Sequence, residues 1–181
     1  NEGTPVTEPL WLSVPRHPQS FAEVADLARA AGFEVAQRSR WASAPSPDAL
    51  TADVWISDTV AEMALYYGLA DVALLGGSFA PLGGQNLIEA AACGCPVVLG
   101  PHTFNFAEAA ELACAAGAAE RVADLGQGVA ACGAAHCHCF GSAGAAGRRC
   151  QCCGRLWQRL GSLAWVVQAG VPGILYRPAT P

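Results

Sequence analysis

The sequence predicts an α/β fold, a parallel sheet covered by helices on both faces, and three observations lead there. The strand-like segments Val54–Ile56, Val72–Leu75 and Val97–Leu99 are continuously apolar rather than alternating, the pattern of strands buried on both sides. Helix-like segments with polar caps at their starts and glycines at their ends separate them. The stretch from Val72 to Phe106 sends two strand ends straight into glycine-bearing polar loops. In a parallel sheet, loops at the carboxyl edge converge on one crevice, where ligands bind.

Taken in order, Leu10–Val14 reads as a strand ended by Pro15, with Arg16-His17-Pro18 as the following loop. Ser20 and Glu23 have the spacing of a capping box opening a helix that Gly32 ends. Phe33–Gln37 is the next strand, and Ala42–Thr51, rich in Pro, Ser and Ala, is a loop. After Val54–Ile56, Thr59 and Glu62 repeat the capping-box pattern before a helix to about Gly68. Val72–Leu75, a helix over Leu87–Cys93 closed by Gly94, the Val97–Leu99 strand, a helix from about Ala107 to Ala116 closed by Gly117, and a strand within Ala119–Ala123 complete the alternation. Residues 1–125 therefore form one domain. From Gly126 the periodicity fails, and residues 126–181 form a tail rich in Cys, Gly, Ala and Arg with no domain assignment. Within the tail, Leu156–Val167 is expected to be helical.

Charge divides the chain at the same place. All fifteen acidic residues lie between Glu2 and Asp124, against five arginines there, giving −10. The five remaining arginines, Arg148, Arg149, Arg155, Arg159 and Arg177, follow with no acid, giving +5, and lysine is missing throughout. Six of the nine cysteines also follow the break. The acidic first part, without an arginine stripe, disfavours nucleic acid as a partner. No run approaches the ~20 apolar residues needed to span a bilayer. The N-terminus lacks the basic start and apolar core of a signal peptide, and its abrupt start beside a strand reads as that of a fragment.

Several nucleotide-site signatures are missing. There is no G-x-G-x-x-G, no G-x-x-x-x-G-K-[ST], no G-x-S-x-G and no Asp-x-Asp, which disfavours dehydrogenases, P-loop enzymes, α/β-hydrolases and a metal-bridged diphosphate. Any anion bound here relies on backbone amides, arginine and helix dipoles. On the carboxyl rim the order of elements places Ser78, Asn86, Glu89, His102 and Asn105, with Arg16 and His17 after the first strand and Thr103 beside Asn105. Arg16 reads either as a surface cation or as a charge-assisted phosphate ligand. Glu62 and Glu89 are placed in first helical turns, where the dipole alone favours a carboxylate, but Gly83-Gly84 ahead of Glu89 allows close ligand approach. Asn86 serves as an N-cap, as a ligand contact, or as both. The two histidines read as structural or as hydrogen-bonding an anion, and Phe104 and Phe106 as packing residues. Cys137, Cys139, Cys150 and Cys153 with His136 and His138 offer a zinc set of unusual spacing, so no metal is assigned.

The motifs Pro15-Arg16-His17-Pro18, Asp58-Thr59, Gly76-Gly77-Ser78, Gly83-Gly84-Gln85-Asn86, Glu89 and Gly100-Pro101-His102-Thr103-Phe104-Asn105-Phe106, in this order, resemble those of the 3-deoxy-D-manno-octulosonic acid (Kdo) transferases. The resemblance covers roughly Leu10–Leu125. It implies a Rossmann-like domain, the C-terminal half of a GT-B glycosyltransferase, that binds the CMP-Kdo donor for transfer to lipid IVA in lipopolysaccharide synthesis. It implies CMP contacts from Pro15 and Arg16, from Val60, Ala61 and Glu62, and from Asn86, Leu87, Ile88 and Glu89. At the second segment the family's usual Met-Gly-Glu is replaced by Val60-Ala61-Glu62, and Gln85 stands where many relatives have His. It also implies no metal or other cofactor, a general base and membrane association supplied by an N-terminal acceptor domain, and a place at the cytoplasmic face of the bacterial inner membrane. On this reading the fragment has no catalytic residue of its own, and the tail has the composition of a shifted reading frame of GC-rich DNA. Two other readings stand beside it: another GT-B transferase or epimerase using a UDP-sugar, and a zinc-binding interaction module built on the cysteine tail.

Overall fold

The computed structural model describes residues 10–42, 44–137 and 165–168. Strands β1 (Trp11–Ser13), β2 (Val35–Gln37), β3 (Val54–Ile56), β4 (Val72–Leu75), β5 (Val97–Leu99), β6 (Ala119–Arg121) and β7 (Trp165–Gln168) form one sheet in the order β2-β3-β1-β7-β4-β5-β6. Every pairing is parallel. Helices α1 (Phe21–Ala30), α2 (Met63–Leu69), α3 (Ile88–Ala92), α4 (Ala107–Ala115) and α5 (Leu125–Cys137) supply the connections. The fold expected from the sequence, a Rossmann-like parallel sheet with helices on both faces, is the one observed.

Side-chain alternation explains the continuous apolar strands. Ala73 and Leu75 of β4 join Leu12, Trp55, Val97 and Leu99 in a core with Tyr66 and Tyr67 of α2, Ala90 of α3 and Ala110 of α4. Val72 and Leu74 point the other way, onto Val98 and Cys132 of α5. Val54 and Ile56 meet Ala25 of α1 on that same second side. Alternate residues of one strand therefore face opposite cores, and each strand is buried twice. The helices approach closely because their inward positions are small: Ala28, Ala90 and Ala110 are each 0 % exposed.

Three local expectations are corrected. Neither capping box forms: Ser20 makes no side-chain cap bond to α1, which instead follows a 3₁₀ turn over Pro18–Ser20. Glu62 is the residue before α2, not part of its first turn. The periodicity failure at Gly126 hides α5, whose Ala- and Gly-rich sequence presents Cys132 to the core.

The larger difference is β7. Trp165–Val167, expected in a helix, lie in a strand, while Leu156–Ala164 fall outside the described residues. Trp165 pairs with Trp11 on one side and with Val72 on the other, so β7 occupies the centre of the sheet. An apolar run of aromatic and β-branched residues such as Trp165-Val166-Val167 suits a central strand, but a window of four residues cannot be told from a helix by periodicity. Proline at Val166 removes one donor from this ladder and leaves a buried carbonyl unpaired. Val166→Pro is expected to lower unfolding stability by about 1–3 kcal/mol in urea titration, with loss of the native transition if the whole sheet depends on β7.

Candidate functional site

The carboxyl ends of β1, β3, β4 and β5 open on one edge, because all strands run the same way. The strand order reverses about β7, with β1, β3 and β2 to one side and β4, β5 and β6 to the other, which makes the edge above β7 the switch point where such sheets bind ligands.

Beyond β1, Pro15 is buried and Arg16 exposed. Among the described residues Arg16 makes no hydrogen bond or ion pair, so its guanidinium is available to an anion. His17 is exposed too, with its carbonyl accepting from Ser20 N–H at 2.9 Å.

Beyond β3, a network fixes the segment 57–62. Asp58 accepts from Ser39 N–H at 2.7 Å, from Ser39 Oγ at 2.5 Å and from Gln37 Nε2 at 3.2 Å, which ties the end of β3 to the turn after β2. Arg38 on that turn donates to Glu62 Oε1 at 2.9 Å and lies 5.7 Å from the centroid of the Trp41 ring. Thr59 Oγ1 donates to Glu62 Oε2, as does the Tyr66 hydroxyl at 2.6 Å, and Ser57 Oγ donates to Tyr66 in turn. The bonds from Thr59 and Tyr66, with the Arg38 charge, hold the Glu62 carboxyl below its ordinary range despite partial burial. Burial and the bond to Glu62 push the Tyr66 hydroxyl up. Both Glu62 oxygens are thus used within the protein, and a ligand reaching this segment meets Val60, 74 % exposed, and the adjoining backbone.

Ala61 has φ of 66°, left-handed backbone that L-residues enter at a cost of about 1–2 kcal/mol. This is the position where the resembled family has glycine.

Beyond β4 and β5, the loops are laced to each other. Ser78 is fully buried; its Oγ donates to the Leu75 carbonyl and accepts from Gly100 N–H, both at 2.6 Å. Its expected place on the ligand rim is therefore taken by a structural bridge. Gly83 and Gly84, at φ of 89° and 85°, pack on the loop Pro101–Phe106: a Cβ at Gly83 would stand 2.1 Å from Asn105 Nδ2. The close approach expected for a ligand is made by Asn105, which also donates to the Leu82 carbonyl. Thr103 is buried and accepts from Arg121 at 2.8 Å, and Arg121 also binds Glu111 at 2.7 Å. His102 is half-buried, Phe106 packs against the core, and Phe104, expected to pack, is 65 % exposed.

Asn86 Oδ1 accepts from Ile88 N–H at 3.0 Å, and its Nδ2 donates to Glu89 at 3.3 Å. Both side chains remain exposed, whereas Leu87 is 2 % exposed and faces the core. The Cys93 thiol, just past the end of α3, lies 3.6 Å from the Ala64 carbonyl in the first turn of α2, so α3 packs beside α2. Burial pushes the neighbouring Cys95 thiol up to about 12, keeping it neutral. Arg38 and Arg121 were not singled out from sequence. Arg38 directly follows β2, the same signal that singled out Arg16, whereas Arg121 is the last residue of β6.

No family model matches the chain. It is 57 % identical over 116 residues to a 3-deoxy-D-manno-octulosonic acid transferase of Bordetella pertussis, a match covering 64 % of this chain and 26 % of that protein. This stretch is homologous to the Kdo transferases. A Kdo transferase of Haemophilus influenzae is 42 % identical over 99 residues, covering 55 % of this chain and 22 % of the relative. The chain thus spans about a quarter of the length of these curated Kdo transferases. In fold it resembles the C-terminal CMP-Kdo binding domain of WaaA from Acinetobacter baumannii, with TM-score 0.63 and 23 % identity over 72 % of this chain and 81 % of that one. The two share one architecture, a parallel sheet covered by helices on both faces.

Two measurements test this geometry. Ala61→Gly relieves the left-handed backbone and is expected to raise stability by up to about 1 kcal/mol, read as an upward shift of Tm. Glu62→Gln is expected to cost about 1–2 kcal/mol at neutral pH. A carboxyl whose folded pKa lies below its unfolded value contributes fully above the unfolded value and loses that contribution as pH falls through the folded one. The gap between wild type and Glu62→Gln should therefore be complete above pH 4.5, the group's ordinary value, and narrow below it; a constant gap would contradict the network.

Proposed function

We propose that this chain forms the donor-nucleotide side of a Kdo transferase and binds the CMP part of CMP-Kdo. The 57 % identity with the Bordetella pertussis enzyme carries the reading. The unpaired Arg16 at the sheet's carboxyl edge supports it, because a guanidinium with free donors suits a phosphate. Pro15 and Arg16, Val60, Ala61 and Glu62, and Asn86, Leu87, Ile88 and Glu89 are the assigned contact segments. Arg16 and the exposed Asn86 and Glu89 act through side chains. Leu87 and the engaged Glu62 contribute backbone and shape.

The whole enzyme on this reading moves Kdo to lipid IVA at the cytoplasmic face of the bacterial inner membrane, in lipopolysaccharide synthesis. The base that deprotonates the acceptor hydroxyl and the membrane contact belong to the part of the relatives' length that this chain does not span. The chain's own chemical task is to stabilise the departing CMP phosphate, through Arg16 and backbone amides at the loop ends. No metal or cofactor enters the reading. Among the described residues no helix is long and apolar enough to cross a membrane, and no three His, Cys, Asp or Glu side chains gather as a metal set. Of the zinc set expected as an alternative, Cys137, Cys139, Cys150 and Cys153 with His136 and His138, all but His136 and Cys137 lie outside the described residues.

Calorimetric titration of the 181-residue chain with CMP, UMP and UDP tests the assignment. CMP is expected to bind more tightly than either uridine nucleotide, and Arg16→Ala to weaken CMP by roughly tenfold or more, the worth of one charged hydrogen bond. Equal binding of UDP would favour a UDP-sugar enzyme, and an Arg16→Ala variant with unchanged affinity would remove Arg16 from the site.

A further inference from the structure

Resting on the donor-site reading, we propose that the Gln85 carboxamide is an internal cap on the anion seat of the β4 loop, and that it turns to contact the nucleotide phosphate when one arrives. Strand β4 ends in a 3₁₀ turn over Gly76–Ser78 that touches β7 at the switch point of the sheet. An amide N–H at such a strand end is suited to an anion. Here the Gly77 N–H is already taken: it donates to Gln85 Oε1 at 3.1 Å. The Gln85 side chain crowds Gly77: an added Cβ there would stand 3.0 Å from Gln85 Cδ and Cγ, so a side chain at residue 77 would press on the carboxamide.

The other half of the amide is unused. Gln85 is 6 % exposed, and its Nε2 is buried without a hydrogen-bond partner among the described residues. A buried carboxamide carries two N–H donors, and leaving them unpaired is unfavourable because water has been stripped from them without replacement. The backbone around Gln85 is pinned: Asn105 N–H donates to the Gly83 carbonyl at 3.1 Å, and Asn86 closes its own turn onto Ile88. The freedom to satisfy Nε2 therefore lies in the Gln85 side chain.

A phosphate oxygen entering at Gly77 resolves the deficit. It replaces Oε1 as acceptor of the Gly77 N–H, and rotation of the amide brings Nε2 to donate to the same anion. One neutral hydrogen bond and one idle amino group become two charge-assisted bonds, which are the stronger kind. Gln85 is then a specificity-determining residue for the phosphate, not for the base or ribose.

The test compares CMP, cytidine and inorganic phosphate on the full chain and two variants, each first checked for an intact thermal transition. Gln85→Met keeps the volume and removes both polar groups; Gln85→His keeps a donor and an acceptor. CMP affinity is expected to fall about tenfold in Gln85→Met while cytidine affinity stays within about twofold, and Gln85→His should restore most of the loss. Equal affinity of Gln85→Met and wild type for CMP would overturn the proposal, as would parallel losses for CMP and cytidine, which report a packing role. If Gln85→Met does not fold, Gln85→His decides: it must bind CMP while wild-type affinity for inorganic phosphate is retained. A wild-type chain that binds neither CMP nor phosphate would instead defeat the donor-site reading, and this proposal with it.

Discussion

The structure depends on a central parallel pairing. β7 bonds β1 on one side and β4 on the other, and through it the half built from β2, β3 and β1 is joined to the half built from β4, β5 and β6. Parallel pairing requires both faces covered, since each strand side chain faces one layer of helices or the other. The cores divide accordingly, Leu75, Val97 and Leu99 facing α2, α3 and α4, and Val72, Leu74 and Val98 facing α5. Removing a side chain such as Leu75 opens a cavity in a close-packed layer, a loss of about 2–5 kcal/mol. The carboxyl edge gains its crevice from the same constraint, because strand order must reverse where β7 lies.

Strand and helix order through residue 121 was legible because each buried strand is a short apolar run bounded by turn residues, and each turn signal, Gly32, Gly94 and Gly117, falls at a left-handed position. Helix starts were less legible. A Ser or Thr followed three residues later by Glu satisfies the capping pattern, but at Ser20 no cap bond forms, and at Thr59 the two side chains bond each other ahead of the helix. β7 was illegible for a different reason. Its four residues gain their strand identity from Trp11 and Val72, far away in sequence, and no local signal carries that. α5 was missed although Leu125, Val129 and Cys132, which pack on one core, stand at helical spacing; the Gly and Ala residues between them blur that stripe.

Within the site, sequence located the loops but not what their side chains touch. Ser78, Gly83, Thr103 and Asn105 stand in the polar, glycine-bearing segments expected to meet a ligand, yet they meet one another across the β4 and β5 loops. Such contacts require knowing that the two loops lie side by side, a tertiary fact. Arg38 and Arg121 escaped notice because a charged residue at or just past the end of a strand has two physical outcomes, solvent or a partner carboxylate. The sequence around each is the same in either case.

The division between engaged and unengaged groups gives the site its character. Glu62 is satisfied by Thr59, Tyr66 and Arg38, and Arg121 by Thr103 and Glu111, so these groups fix backbone and offer little to a ligand. Arg16, at the sheet's carboxyl edge, is exposed and, like Arg40, without a partner among the described residues. Laced loops hold a recognition surface in place before binding, which reduces the ordering cost on association, while an unpaired cation retains its full capacity for a charge-assisted bond. A rigid floor with a free guanidinium at its edge suits a small anionic ligand whose remaining contacts come from elsewhere. That is the division of labour the proposed donor-site reading asks of this chain, a surface that positions a nucleotide and leaves the chemistry on its sugar to groups placed opposite.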